Sequence, residues 1–257
     1  MRRIILTFVL VLLAAVGLGS IAVATSSGSA ITAPRLARSV TTAFTNVYTE
    51  QARILGHKGV DPASMKPKTM CDRGYGVPQS GPGTNWNCLI SWTDPNMPIP
   101  STGYGKIEVT VHTNGCYTAS PSSSLVGYQT ITASDGRTVA NPAYEFDGCI
   151  DPASDNTPTG VVFDSELKMT NTAANIDSSG RTGADLLCNV GAGGCKGTLT
   201  ATADGKPLGS VAYDLHEQQT AHVTLPTAVP ASAKNVSFSL HGTAGITPSD
   251  TELPVQR

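Results

Sequence analysis

Charged residues are scarce in this sequence. Lysine and arginine number 17 and aspartate and glutamate number 19 among 257 residues, which leaves a net charge of −2. A protein that holds a phosphate backbone needs clustered lysine and arginine side chains. This composition therefore predicts no nucleic-acid partner.

The sequence also lacks the local motifs of common catalytic and metal sites. It contains no Gly-x-Ser-x-Gly elbow, no His-Glu-x-x-His helix and no Cys-x-x-Cys pair. We therefore predict no catalytic residue, no cofactor and no metal site. Two metal alternatives remain, a chance site at His222 and His241 on neighbouring strands, and a calcium site among the acidic residues Asp151, Asp155 and Asp164.

Aromatic residues make up only 5% of the chain. Both tryptophans flank Cys88, and side chains that alternate along a strand place Ile90 and Trp92 together on the core face. The orientation of Trp86 is not fixed by this alternation. Trp86 is therefore the candidate ligand-contacting residue.

The first 24 residues form an apolar leader. Arg2 and Arg3 precede Ile4–Ala24, a run of 21 residues without a charge, which is long enough to span a bilayer. Positive charge before the run places the rest of the chain outside the cytoplasm. The leader is a retained signal-anchor or, because Ala22-Val23-Ala24 fits a cleavage site, a signal peptide. Residues 25–33 are predicted to be a flexible stalk.

Six cysteines in an exported chain predict three disulfides. Six cysteines allow 15 connectivities, and we favour the sequential one because its last pair closes a tight glycine-rich loop. The predicted pairs are Cys71–Cys88, Cys116–Cys149 and Cys188–Cys195. Bridges of this kind stabilise domains whose hydrophobic cores are small.

The pattern over residues 34–152 predicts an α+β module. Apolar residues at three- and four-residue steps from Leu36 to Leu55 predict one long helix that ends at Gly56. Short strands follow, including Cys88–Trp92 and Ile107–His112, and the turn Asn114-Gly115 favours a hairpin. A helix followed by an antiparallel meander is an α+β arrangement.

Residues 153–160 are predicted to be a linker, because two prolines and two aspartates lie in Asp151–Gly160. Beyond it, short alternating strands between turns predict a β-sandwich over 161–250. Val161–Met169 is its first predicted strand and Ala184–Val190 its second. The last residues, 251–257, are predicted to be a tail. The chain as a whole is thus mainly β.

The second module resembles an Ig-like module common in exported actinobacterial proteins. The resemblance covers about residues 165–245 and is carried by 188–200 (CNVGAGGCKGTLT), by 208–215 (LGSVAYDL) and by 222–225 (HVTL). It implies an Ig-like sandwich with a short Cys–Cys loop. In the first module, Asn87-Cys88 and residues 115–119 resemble small α+β domains of actinobacterial lipoproteins and anchored proteins. Neither resemblance implies an activity or carries site residues.

These observations predict a non-enzymatic, extracytoplasmic envelope protein that is tethered to the membrane by its leader. Its modules would bind an envelope protein or a wall polymer. Two alternatives remain open. One is a secreted hydrolase with a site assembled from distant Ser, Asp and His residues. The other is a secreted inhibitor, because a helix on a meander also describes cystatin-like folds.

Overall fold

The computed structural model describes residues 30–257. The predicted leader and most of the predicted stalk lie outside these residues. The end of the stalk is held in place, because Gly81 donates its backbone N–H to the carbonyl of Ile31 (3.0 Å) and Thr32 pairs with Ser80 as a β-bridge. Among residues 30–257, no helix is both long and apolar enough to span a membrane.

The long helix predicted from the apolar stripe is confirmed. Helix α1 spans Ala33–Leu55 and buries Leu36, Val40, Phe44, Tyr48 and Ala52 along one face. Gly56 ends it with φ = +76°, a left-handed conformation that glycine adopts without steric cost. The backbone N–H of His57 then bonds to the carbonyl of Ala52 at 2.9 Å.

Helix α1 packs on a five-stranded antiparallel sheet. Two one-turn helices, α2 (Pro62–Met65) and α3 (Ser123–Val126), lie in the connections. The sheet order is β1-β2-β3-β4-β7. Its strands are β1 (Lys68–Asp72), β2 (Gly83–Ser91), β3 (Gly105–Val111), β4 (Cys116–Pro121) and β7 (Phe146–Cys149). The predicted α+β module is therefore confirmed.

The predicted meander is wrong in one respect. The strands β5 (Thr130–Thr132) and β6 (Thr138–Ala140) form a separate two-stranded hairpin and do not join the sheet. The last strand of the sheet begins at Phe146, because a turn precedes it in which Tyr144 donates its backbone N–H to the carbonyl of Asn141 (3.3 Å).

All three predicted disulfide pairs are confirmed. Cys71–Cys88 joins register partners on β1 and β2, and Cys116–Cys149 joins register partners on β4 and β7. Cys188–Cys195 closes a seven-residue separation in the second module. Three disulfides indicate an oxidising, extracytoplasmic environment.

The predicted linker is not a free tether over its whole length. The Arg35 guanidinium donates to the carbonyl of Ser154 (3.1 Å), and Arg38 donates to the carbonyls of Asp155 (2.7 Å) and Thr157 (2.6 Å). These bonds fasten the first half of the segment to helix α1.

The second module is a β-sandwich, as predicted. Its smaller sheet has the order β13-β10-β8 and its larger sheet the order β12-β11-β14-β15-β9. Side chains from both sheets form one buried cluster, including Leu186 of the smaller sheet and Phe238 of the larger. The strands are β8 (Leu167–Met169), β9 (Ala174–Asn175), β10 (Gly183–Cys188), β11 (Cys195–Ala203), β12 (Lys206–Leu215), β13 (Thr220–Thr224), β14 (Asn235–Ala244) and β15 (Thr251–Gln256).

Two predicted boundaries in this module are corrected. Residues 251–256 form β15, which is hydrogen-bonded to β14 and to β9, so they are not a tail. The first strand is much shorter than the predicted Val161–Met169 and covers only Leu167–Met169. The apolar residue Phe163 ahead of it packs against the other module instead.

Candidate binding cleft between the modules

The two modules contact each other through a small apolar cluster of their own. The first module contributes Met70, Leu89 and Tyr104, and the second contributes Phe163, Val190 and Ile246. Leu89 lies between Cys88 and Ile90, which face helix α1, so it points to the opposite side of the sheet. The sandwich therefore covers part of the face of the sheet that helix α1 leaves open, around Leu89.

Polar contacts fix the same junction. The Tyr104 hydroxyl donates to the carbonyl of Asp164 at 2.7 Å. Burial, together with the negative charges of Glu166 and Asp164, raises the pKa of Tyr104 to about 12. The phenol is therefore a neutral donor at any physiological pH, and this bond persists across that range.

A cleft of about 660 Å³ opens beside the junction. One side is built by the loop around Ser101, by the start of β3 and by the turn that leads into α3. The other side is built by β8 and by the residues that follow β10. Leu89, Leu125 and Val190 close its bottom and are almost fully buried. Clefts at module boundaries are common ligand sites.

Gly105 shapes the first wall. A Cβ atom at this position would lie 2.2 Å from a methyl group of Leu125, which is a distance that real structures do not show. Glycine thus lets α3 close over the start of β3. The serines of this turn, Ser122 and Ser124, share a hydrogen bond of 2.8 Å at the rim.

Each wall of the cleft carries one lysine and one glutamate two residues apart. Lys106 and Glu108 lie on β3, with 3.0 Å between Nζ and Oε1. Glu166 and Lys168 flank Leu167 on the other wall, with 3.3 Å between Oε2 and Nζ. The Asn189 side-chain amide also donates to Glu166 (3.3 Å). The cleft is therefore electrically balanced and carries both signs of charge on both sides.

The structure does not place Trp86 in this cleft or on any open surface. Trp86 is 1% exposed, and its indole N–H donates to the carbonyl of Gly81 at 3.1 Å. The guanidinium carbon of Arg73 lies over the ring, 5.4 Å from its centroid, in a cation–π geometry. Trp86 is a core residue, and its prediction as a ligand-contacting residue is wrong.

The metal alternatives are not supported by the positions of their residues. His222 lies on β13 of the smaller sheet and His241 on β14 of the larger sheet, so they do not meet across neighbouring strands. The His222 ring instead bonds to Asp185 (2.7 Å) on the surface. Asp155 bonds to Thr157 and Arg38. Within residues 30–257, no cluster of three or more His, Cys, Asp or Glu side chains is placed to hold a metal ion.

Among the described residues, His57 is the one histidine that bonds to a buried carboxylate. Its Nδ1 lies 2.7 Å from Oδ2 of Asp94, which also accepts a bond from the hydroxyl of Tyr48 (2.9 Å). Burial alone would raise the pKa of Asp94, but hydrogen bonds from Asn96, His57 and Tyr48 outweigh it and hold this pKa below its usual range. In the described residues, no serine or threonine hydroxyl bonds to the His57 ring.

Sequence reasoning did not identify the cleft. Its two Lys–Glu pairs begin at Lys106 and at Glu166, 60 positions apart along the chain, and neither pair belongs to a recognisable motif. The available signal was Cys88-Leu89-Ile90, an apolar run without alternation. Such a run is typical of a strand that is covered on both faces. Helix α1 covers one face of this strand, and the sandwich covers the other at Leu89.

Comparisons with known proteins give no assignment. No protein family model matches the chain, and no curated protein matches it. Among solved structures it shows similarity to a chain described as "Central Fibronectin-III array of RIM-binding protein". The identity is 11%, the match covers 77% of this chain and 89% of that chain, and the TM-score is 0.22. A likeness at this TM-score supports no conclusion about fold or function, and the β-sandwich is established by its own two sheets.

Proposed function

We propose that this chain is a non-enzymatic binding protein of the cell envelope that takes its ligand in the cleft between its two modules. The cleft carries the proposal, because it is large, open to solvent and bordered by charged side chains from both modules. The junction beside it is held by apolar packing and by the Tyr104 bond, so both walls are fixed before a ligand arrives.

The extracytoplasmic part of the proposal is supported by the three disulfides. The membrane tether is supported by the apolar leader in the sequence. The resemblance of the second module to Ig-like modules of exported actinobacterial proteins agrees with both. The partner is then an envelope protein or a wall polymer.

Site-specific photo-crosslinking tests this function. A photoreactive amino acid is placed at Ser101 on the cleft rim and, as a matched control, at Ser210 on the exposed outer face of β12. We expect one reproducible adduct from Ser101 in intact envelopes and none from Ser210. Equal labelling from both positions, or no adduct from Ser101, would contradict a cleft-bound ligand. The same mass spectra identify the mature amino terminus and so test the tether.

A secreted hydrolase is the second candidate, and the His57–Asp94 pair favours it. The carboxylate fixes the ring through Nδ1 and leaves Nε2 as the free nitrogen, as in a general base. Exposure of the purified chain to ester and peptide substrates tests this, with His57→Ala and the surface variant His241→Ala compared. Turnover that His57→Ala abolishes and His241→Ala retains would establish the hydrolase.

A further inference from the structure

The arrangement of charge in the cleft restricts the chemistry of its ligand. Covering a Lys–Glu pair with a neutral ligand removes water from both charges. Each charge keeps its partner in the pair, but the remaining hydrogen bonds of the ammonium and the carboxylate group are lost. A polyanion would meet both lysines but would be repelled by Glu108 and Glu166, and a polycation has the reverse difficulty. A ligand that fits both walls carries both signs of charge itself.

The positions of these residues along β3 restrict the ligand further. Lys106 and Glu108 are two residues apart, so their Cα atoms lie about 6.4–6.8 Å apart along the strand and both side chains project from the same face. Their charged ends meet at 3.0 Å. An extended polypeptide repeats its side chains on one face at that same interval. An acidic and a basic residue two positions apart on such a segment would pair with both β3 charges at once, in place of the Lys106–Glu108 bond.

The lining favours a peptide over a sugar chain. Tyr104 is the aromatic residue of the cleft lining, but it is only 7% exposed and its hydroxyl is already bonded. The cleft therefore offers no open aromatic face of the kind on which a ring can stack. Serine hydroxyls at its rim, such as Ser101 and Ser124, supply donors and acceptors that suit main-chain amides.

From these features we infer that the cleft binds an extended peptide segment in which one acidic and one basic residue stand two positions apart. This inference rests on the proposed function and names the ligand class for the same site. The partner is thus a protein of the envelope, recognised through a linear segment.

A charge swap on β3 tests the inference without changing the net charge. The double variant Lys106→Glu, Glu108→Lys keeps an exposed ion pair and so is expected to fold. The matched control is Lys196→Asp, Asp214→Lys, which swaps another exposed pair (3.0 Å) outside the cleft. Both proteins are compared with the unaltered chain by thermal unfolding before any binding measurement.

The probes are ten-residue Gly/Ser peptides that contain Glu-x-Lys or Lys-x-Glu, together with peptides of equal composition in which the two charges are adjacent. We expect the unaltered chain to prefer one order by about tenfold and the β3 swap to reverse that preference. The control swap should leave the preference unchanged. Binding without any order preference, or a preference that the β3 swap does not reverse, would overturn the inference.

A panel of neutral wall oligosaccharides separates this inference from the proposed function. If an oligosaccharide binds, peptides do not, and the β3 swap weakens the binding, the ligand class is wrong while the cleft remains the site. If no probe binds and the Ser101 crosslinker captures nothing in envelopes, the proposed function fails together with the inference.

Discussion

Tyr75 and His216 stack face to face across the module junction, with ring centroids 3.8 Å apart and ring planes 3° apart. The two residues are 141 positions apart in sequence, on loops that precede β2 and follow β12. Gly74 leaves room for the neighbouring side chain of Gln218, since a Cβ there would lie 2.3 Å from its amide nitrogen. The junction therefore has a second point of attachment beside the apolar cluster.

Replacing Tyr75 with alanine is expected to weaken the coupling between the modules. The lost ring pair corresponds to about 0.5–1.5 kcal/mol, and the two modules should then unfold in less coincident transitions by differential scanning calorimetry. Tyr128→Ala is the matched control, because Tyr128 is 76% exposed and lies in the same module. A calorimetric profile of Tyr75→Ala identical to that of the control would show that the stack does not couple the modules.

Helices and strands with a regular apolar pattern could be predicted from the sequence. The stripe from Leu36 to Leu55 predicted α1, and alternation over Ile107–Val111 predicted β3. The strand β15 was not predicted because it contains Pro254, which has no backbone N–H to donate to a neighbouring strand and is unusual within a strand. Pro254 interrupts the apolar pattern of Leu253 and Val255. The junction and the cleft were missed for a different reason. They arise from the docking of two separately patterned modules, which no local pattern encodes.

The three disulfides should differ in their contribution to stability. Cys116–Cys149 closes a separation of 33 residues and Cys188–Cys195 a separation of 7. If a bridge acts by restricting the unfolded chain, the longer loop contributes more, by about 1 kcal/mol. Paired Cys→Ser variants of each bridge, compared by denaturant unfolding, measure this difference. A larger loss from the short loop would mean that the bridges act mainly by fixing the native structure.

Removing the Asp94 carboxylate is expected to be costly. Asp94→Ala leaves the buried hydroxyl of Tyr48 without its acceptor and should lower the free energy of unfolding by about 3 kcal/mol. The control is Asp147→Ala, which removes an exposed acceptor of Thr118 and should change it by about 0.5 kcal/mol or less. Denaturant unfolding at neutral pH gives both values. Equal losses in the two variants would mean that the Tyr48–Asp94 hydrogen bond contributes no more to the stability of the first module than an exposed one.

Asp94 also predicts a pH dependence of definite sign. Because its folded-state pKa is lowered, its contribution to stability is complete above its unfolded-state pKa of about 3.9 and is lost as the pH falls through the folded value. The advantage of the unaltered chain over Asp94→Ala should therefore shrink in acid. An advantage that stays constant down to strongly acidic pH would contradict the hydrogen-bonded carboxylate.

Asp72 should show the opposite dependence. Burial, reinforced by the nearby charge of Glu217 from the other module, raises its pKa, and its Oδ2 is buried with no hydrogen-bond partner. A carboxyl whose folded pKa is raised binds its proton more readily in the native state. Stability attributable to Asp72 therefore rises as the pH falls through that raised value and levels off below about 3.9.

The variant Asp72→Asn isolates this effect. Its side-chain oxygen can still accept the backbone N–H of Gly74, the bond that Asp72 makes at 2.8 Å, while the charge beside Glu217 is removed. We expect the unfolding midpoint at neutral pH to rise, and the gain over the unaltered chain to vanish in acid, where Asp72 is protonated as well. The same variant should stabilise the docking of the modules, because the relieved repulsion crosses the junction. A lower midpoint at neutral pH would mean that the Asp72 charge is compensated in the folded protein and does not oppose docking.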